Sequence, residues 1–136
     1  MKKILLLLSF PLLVVSQNNE ENVSIPNIFT VFYNVENLFD TINNPNTSDD
    51  EFLPHSEKKW NSSKYYHKIN QLARVFSSLS KDENSNNMPD IIGLCEVENE
   101  HVIYDLLKTP TFSNHNYKII HKDSPDSRGI DCALLY

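Results

Sequence analysis

The chain has 136 residues, 40% of them hydrophobic, 10% aromatic and 22% charged, which fits one globular domain and excludes a fibre or a disordered tail. Its only glycines are Gly93 and Gly129, which rules out a glycine-rich phosphate loop and a dinucleotide-binding fingerprint. A formal charge of -6 argues against a simple basic clamp for nucleic acid, so a polyanionic substrate needs a metal ion or another segment to supply positive potential.

Lys2 and Lys3 precede an apolar run from Ile4 to Val15 that Ser16 closes, the pattern of a secretory signal peptide over residues 1–16, cut after Ser16. The run falls short of the roughly 20 residues that span a bilayer, so no stable membrane insertion is expected after cleavage. Loss of Lys2 and Lys3 leaves ten basic residues against 18 acidic ones, a charge of -8. The expected location is secreted or periplasmic, an oxidising setting. Cys95 and Cys132 each sit in an apolar run and are expected to pack as small hydrophobes; a disulfide between them stays open. No Cys or His pair has zinc-ligand spacing.

Residues 17–27 read as a polar, flexible leader. Ile28 to Val35 is β-branched and aromatic, which predicts a buried strand, and Asn43 to Pro54 predicts a loop. Tyr65, Ile69, Leu72, Val75, Phe76 and Leu79 recur at three- and four-residue steps, an amphipathic helix capped by Ser62 or Ser63. A polar break over Lys81 to Pro89 leads into a second buried strand, Asp90 to Val97. Asn99 is placed to cap a short helix carrying Val102, Ile103, Leu106 and Leu107. Tyr117 to His121 predicts a third strand, Lys122 to Gly129 a turn, and Ile130 to Tyr136 a fourth strand whose apolar run suits the middle of a sheet. This order is α/β.

The chemistry-bearing residues lie at strand ends, where α/β sheets place ligands. Asn34 and Glu36 are two apart and face one side if the first strand persists; Glu96 and Glu98 repeat the spacing after the second. Adjacent strands would bring Glu36 and Glu96 together, and converging carboxylates are relieved by a hard divalent cation. The alternative is that each pairs with Lys or Arg, or reaches solvent. The Asp49-Asp50-Glu51 run is expected to be solvated. His55, His67, His101, His115 and His121 show no triad spacing, Trp60 and Phe52 are expected to pin the loop, and Tyr65 and Tyr66 to pack the helix.

Three segments then occur in order: Phe32-Tyr33-Asn34-Val35-Glu36-Asn37-Leu38-Phe39, Pro89-Asp90-Ile91-Ile92-Gly93-Leu94-Cys95-Glu96-Val97-Glu98-Asn99, and Arg128-Gly129-Ile130-Asp131-Cys132-Ala133-Leu134-Leu135-Tyr136. Together they resemble the endonuclease/exonuclease/phosphatase superfamily, the deoxyribonuclease I-like fold, in its secreted bacterial branch. The resemblance implies a partial domain over 28–136, the N-terminal half of a four-layer α/β/β/α sandwich with a mixed sheet and flanking helices. It implies a Mg2+-dependent phosphodiester or phosphoester hydrolase, with Mn2+ as the other candidate ion. By position, Asn34 and Glu96 are the implied catalytic residues, Glu96 the principal metal ligand and Glu36 a metal-proximal acid. Tyr33 stands where the family commonly has Trp. Arg128 is an implied phosphate contact, with pairing to Asp126 or Asp123 as the alternative. Glu98 is either functional or an exposed residue starting the helix. The family's later Gly-Asp-x-Asn and Ser-Asp-His motifs, which orient and activate water, do not occur here. That leaves a non-catalytic secreted remnant or interaction module as the second expectation. Nucleic acid, phospholipid, inositol phosphate and small phosphoesters all stay open as substrates, as does the oligomeric state.

Overall fold

A computed structural model describes residues 27–82 and 87–136. The expected signal peptide and nearly all of the leader lie outside the described residues. Among those described, no helix is long and apolar enough to cross a membrane.

The elements run β1 (Thr30–Leu38), a 3-10 turn (Asp50–Phe52), α1 (Ser62–Asp82), β2 (Ile91–Val97), α2 (Glu100–Leu107), β3 (Ile119–Lys122) and β4 (Asp131–Leu135). β1 thus begins and ends later than its apolar composition suggests. Helix α1 starts where periodicity places it, but the cap is Asn61: its Oδ1 accepts from the Lys64 N–H at 3.1 Å, which makes Ser62 the first helical residue. Asn99 caps α2 as expected, accepting from the Val102 N–H at 3.1 Å. Helix α1 also takes in Lys81 and Asp82, the first two residues of the predicted polar break.

The sheet order is β1-β2-β4-β3, with β1 and β2 parallel across α1 and the other pairs antiparallel. The fold is therefore a mixed α/β sheet with flanking helices. Val35, Leu38, Ile92, Leu94, Val97, Ala133 and Leu135 pack with Tyr65, Ile69, Phe76, Val102, Ile103 and Leu106 in one core under α1 and α2. The apolar run of β4 is explained by its place between β2 and β3, as the sequence suggests.

The other face of the sheet is open, and Thr30, Phe32, Asn34 and Cys95 are exposed on it. Phe32 and Gly93 are register partners, and the Phe32 ring lies over Gly93 so closely that a Cβ there would stand 2.3 Å from Phe32 Cδ1. The cysteines overturn their expected burial. Cys95 and Cys132 are register partners on β2 and β4, both exposed and both free thiols. Their apolar neighbours alternate to the core face, so these side chains point away from it.

Candidate metal and phosphate site

The site forms where β1 and β2 both leave regular geometry. Between the pairs Asn34–Cys95 and Leu38–Val97, β1 advances four residues while β2 advances two. The slack is taken up by Glu36 and Asn37, with φ of 54° and 61°, and opposite them Glu96 has φ of 66°. Against β4, Glu96 is also an extra residue, because Cys95 pairs with Cys132 and Val97 with Asp131. Non-glycine residues in this left-handed region each cost about 1–2 kcal/mol, so three together mark a place where other contacts over-determine the backbone.

Those contacts converge on Glu96. Its Oε1 accepts from Asn34 Nδ2 at 2.9 Å and its Oε2 accepts from the Asn37 N–H at 3.0 Å. Asn34 Oδ1 in turn accepts from the Glu36 N–H at 2.7 Å, closing an Asx turn that holds the bulge. Asn34 and Glu96 are thus brought together, and each Glu96 oxygen keeps a lone pair free. The Glu36 carboxylate is exposed and accepts no hydrogen bond among the described residues, while the Glu36 carbonyl accepts from Lys68 Nζ at 2.5 Å. Oxygen donors partly open to solvent suit Mg2+, which keeps several waters; Glu96 fits that role, with Glu36 on the facing bulge of β1.

Lys68 was not singled out by sequence. Burial pushes its pKa down, while the charges of Glu36 and Glu96 oppose that shift, so its ammonium lies within the field of both acids. The only signal was its position beside Ile69 at the edge of the apolar stripe. Arg128 forks onto Asp126, with Nε to Oδ1 at 3.0 Å and Nη2 to Oδ2 at 2.8 Å. This is the pairing alternative. The hydrogen bond from Arg128 holds the Asp126 carboxyl down at about 2. The fork uses two of the five guanidinium N–H groups, and Arg128 also feels the charge of Glu96.

Glu98 corrects the expectation of an exposed helix-starting residue. The extra residue at Glu96 breaks the two-residue alternation, and Glu98 is buried, its Oε2 accepting from the Asp40 N–H at 2.7 Å. Burial pushes its carboxyl up to about 7, with the charges of Asp40, Asp49 and Asp131 adding to the shift. Asp49 is likewise not solvated: it is buried and its Oδ2 accepts from the Asn44 N–H at 2.8 Å. Asp50 and Glu51 are exposed as expected. Trp60 and Phe52 do pin the loop, through a Trp60 Nε1 bond to the Phe39 carbonyl at 3.0 Å and a Phe52–Phe39 stack at 4.1 Å. Tyr65 packs under the helix and donates to Asp105 Oδ2 at 3.0 Å, whereas Tyr66 is half exposed. His121 is not without a carboxylate, since its Nε2 lies 3.1 Å from Asp131 Oδ2.

The sequence profile of the Endonuclease/Exonuclease/phosphatase family matches residues 29–136. No curated protein and no solved structure matches the chain significantly. The profile covers every strand and helix described above, including both bulges and the Arg128–Leu135 segment, so the chain belongs to the endonuclease/exonuclease/phosphatase family, whose members hydrolyse phosphoester bonds and generally depend on divalent metal.

Proposed function

We propose that this chain carries the metal-holding part of a Mg2+-dependent phosphodiester or phosphoester hydrolase site. The observation that supports it most is the two-point fixing of the Glu96 carboxylate by Asn34 and the Asn37 N–H within left-handed backbone. Glu96 would hold the ion, with Glu36 beside it and Asn34 setting the carboxylate plane. A bound Mg2+ (or Mn2+) supplies Lewis-acid neutralisation of a phosphate oxygen. Arg128 keeps N–H groups free of Asp126 for a phosphate contact, and Lys68 adds a positive charge beside the two acids. This sequence lacks both later family motifs, so no residue in it is assigned the orientation or activation of water. The signal-like start, Lys2-Lys3 followed by Ile4 to Val15, supports export and therefore nucleic acids or other phosphoesters outside the cytoplasm as substrates.

The exposed Phe32, Ile120 and Tyr136 favour a second reading, a non-catalytic secreted interaction module. Two assays on the full chain separate them: Mn2+ binding by electron paramagnetic resonance, and release of p-nitrophenol from bis(p-nitrophenyl) phosphate with Mg2+. Glu96→Gln is expected to lose one equivalent of Mn2+ and any Mg2+-dependent turnover with it. Mn2+ binding untouched by Glu96→Gln sinks the metal assignment, absence of Mn2+ binding in the parent protein supports the module, and ion binding without turnover is the outcome expected of a metal-holding part that lacks the water-activating motifs.

A further inference from the structure

A second group of ligating atoms lies on the other face of the sheet. His121 and Ala133 are register partners on β3 and β4, and His121 alternates with the exposed Ile120 and Lys122. Asp131 alternates with the exposed Cys132, so it shares the helix-covered face with Ala133 and Leu135. Glu96, by contrast, is tied to Asn34 on the open face. The His121 and Asp131 side chains are 8% and 5% exposed, and His121 Nε2 lies 3.1 Å from Asp131 Oδ2. Yet Nε2 is buried and makes no hydrogen bond. An imidazole nitrogen at contact distance from a carboxylate oxygen, with no proton aligned between them, is the geometry of two ligands facing a shared cation. It is otherwise a costly arrangement, because a buried polar atom left without a partner costs free energy.

Asp123 completes the set. Ligand atoms of His121, Asp123 and Asp131 all lie within 4.8 Å of one another. The turn that carries Asp123 is held against Asp131, whose Oδ1 accepts from the Ser124 N–H at 2.7 Å, while Ser124 Oγ donates to the Ile130 carbonyl at 2.7 Å. Tetrahedral coordination with bonds of 2.0–2.1 Å sets ligand atoms roughly 3.3 Å apart, so closure asks only for movement of the exposed Asp123 side chain. Asp123, Asp131 and Glu98 also line a cleft of about 440 Å³ with no lysine or arginine among its lining residues.

We propose that His121, Asp123 and Asp131 form a second cation site, separate from Glu96, that takes a divalent transition ion, Zn2+ first. One imidazole with two carboxylates is a mixed nitrogen and oxygen donor set, which suits Zn2+ better than Mg2+. Three protein ligands would leave the fourth position of a tetrahedral ion for water or a ligand.

The test is Co2+ titration of the full chain followed by visible absorption, with Zn2+ and Mg2+ as competitors. It is run in a Cys95→Ser/Cys132→Ser background, because the two adjacent exposed thiols are themselves ligands. One equivalent of Co2+ with the strong visible bands of a four-coordinate ion is expected, displaced by Zn2+ and not by equal Mg2+, whereas six-coordinate Co2+ at the oxygen-ligated Glu96 site absorbs only weakly. His121→Gln and Asp123→Asn should each weaken it roughly tenfold or more, and Glu96→Gln should leave it unchanged. Asp123 is exposed on a turn, so Asp123→Asn is decisive even if His121→Gln disturbs folding. The proposal is overturned by absence of a Co2+ spectrum in the serine background, by a spectrum indifferent to Asp123→Asn, or by one lost with Glu96→Gln. Since the Mn2+ loss expected above depends on Glu96 and not on Asp123, either site can fail without the other.

Discussion

At the scale of single residues, the three left-handed positions decide most of what the site is. Glu36, Asn37 and Glu96 turn the backbone so that the Asn37 N–H and the Asn34 amide meet one carboxylate, and the same turn sends Glu98 inward. Glu98 then provides a pH signature. Its folded pKa of about 7 lies above the ordinary 4.5, so the folded state binds the proton more tightly. With metal removed by EDTA, the contribution of Glu98 to stability is highest below about pH 4.5 and is lost as pH rises through about 7. Solvent at the carboxyl's open edge keeps this to on the order of 2 kcal/mol. Urea unfolding at pH 5.5 and pH 8 should show Glu98→Gln gaining on the parent protein at the higher pH; an equal difference at both would refute the assignment. The sequence pointed to Asn34 and Glu96 by type and position, but not to this inversion. Two-residue alternation holds only while φ stays extended, and nothing in Glu-Val-Glu announces a bulge.

Elements were more legible than residues where the cause is local. The helical steps from Tyr65 to Leu79 and the Asn99 cap follow from side chains within one turn of each other, and both are found. The α1 cap falls one or two residues before the Ser62 or Ser63 expected, because Asn61, Ser62 and Ser63 are all good caps and only the realised backbone chooses. The faces of β2 and β4 needed register, a long-range property, and the cysteines were accordingly placed on the wrong side. The Phe32–Gly93 pair is the clearest register effect. A methyl at residue 93 meets the Phe32 ring at 2.3 Å, but that ring is 76% exposed and free to swing away. Gly93→Ala is therefore expected to cost roughly 1 kcal/mol rather than to prevent folding. Thermal melts of the double variant Phe32→Ala/Gly93→Ala should show most of that cost gone. If the penalty is undiminished without the ring, the contact is not its source.

For the molecule as a whole, the α/β order was readable and the sheet order was not. Alternating strands and helices follow from changes of hydrophobic period, whereas inserting β4 between β2 and β3 depends on pairings distant in sequence. An ion held at Glu96 in the native state alone would stabilise the whole fold. Mg2+ at a hundredfold its Kd should add about 2.7 kcal/mol. Calorimetry should therefore show a rise in Tm with Mg2+ in the parent protein and none in Glu96→Gln; a shift retained in that variant would place the ion elsewhere.

The order β1-β2-β4-β3 also sets how the protein comes apart. Among the described residues β3 has β4 as its only partner strand, so β4 cannot leave the sheet without releasing β3, while the β1–β2 pair keeps its own bonds. The local opening unit is thus the β3–β4 hairpin, which carries His121, Asp123, Arg128 and Asp131 as one block. Native-state hydrogen exchange should find the amides bonded between β2 and β4 exchanging together, and faster than those between β1 and β2; equal protection across the sheet would refute this. Glu96 and Asn34 sit on the slow side of that divide, so the hairpin can open and reclose while the carboxylate stays fixed between the two strands that hold it.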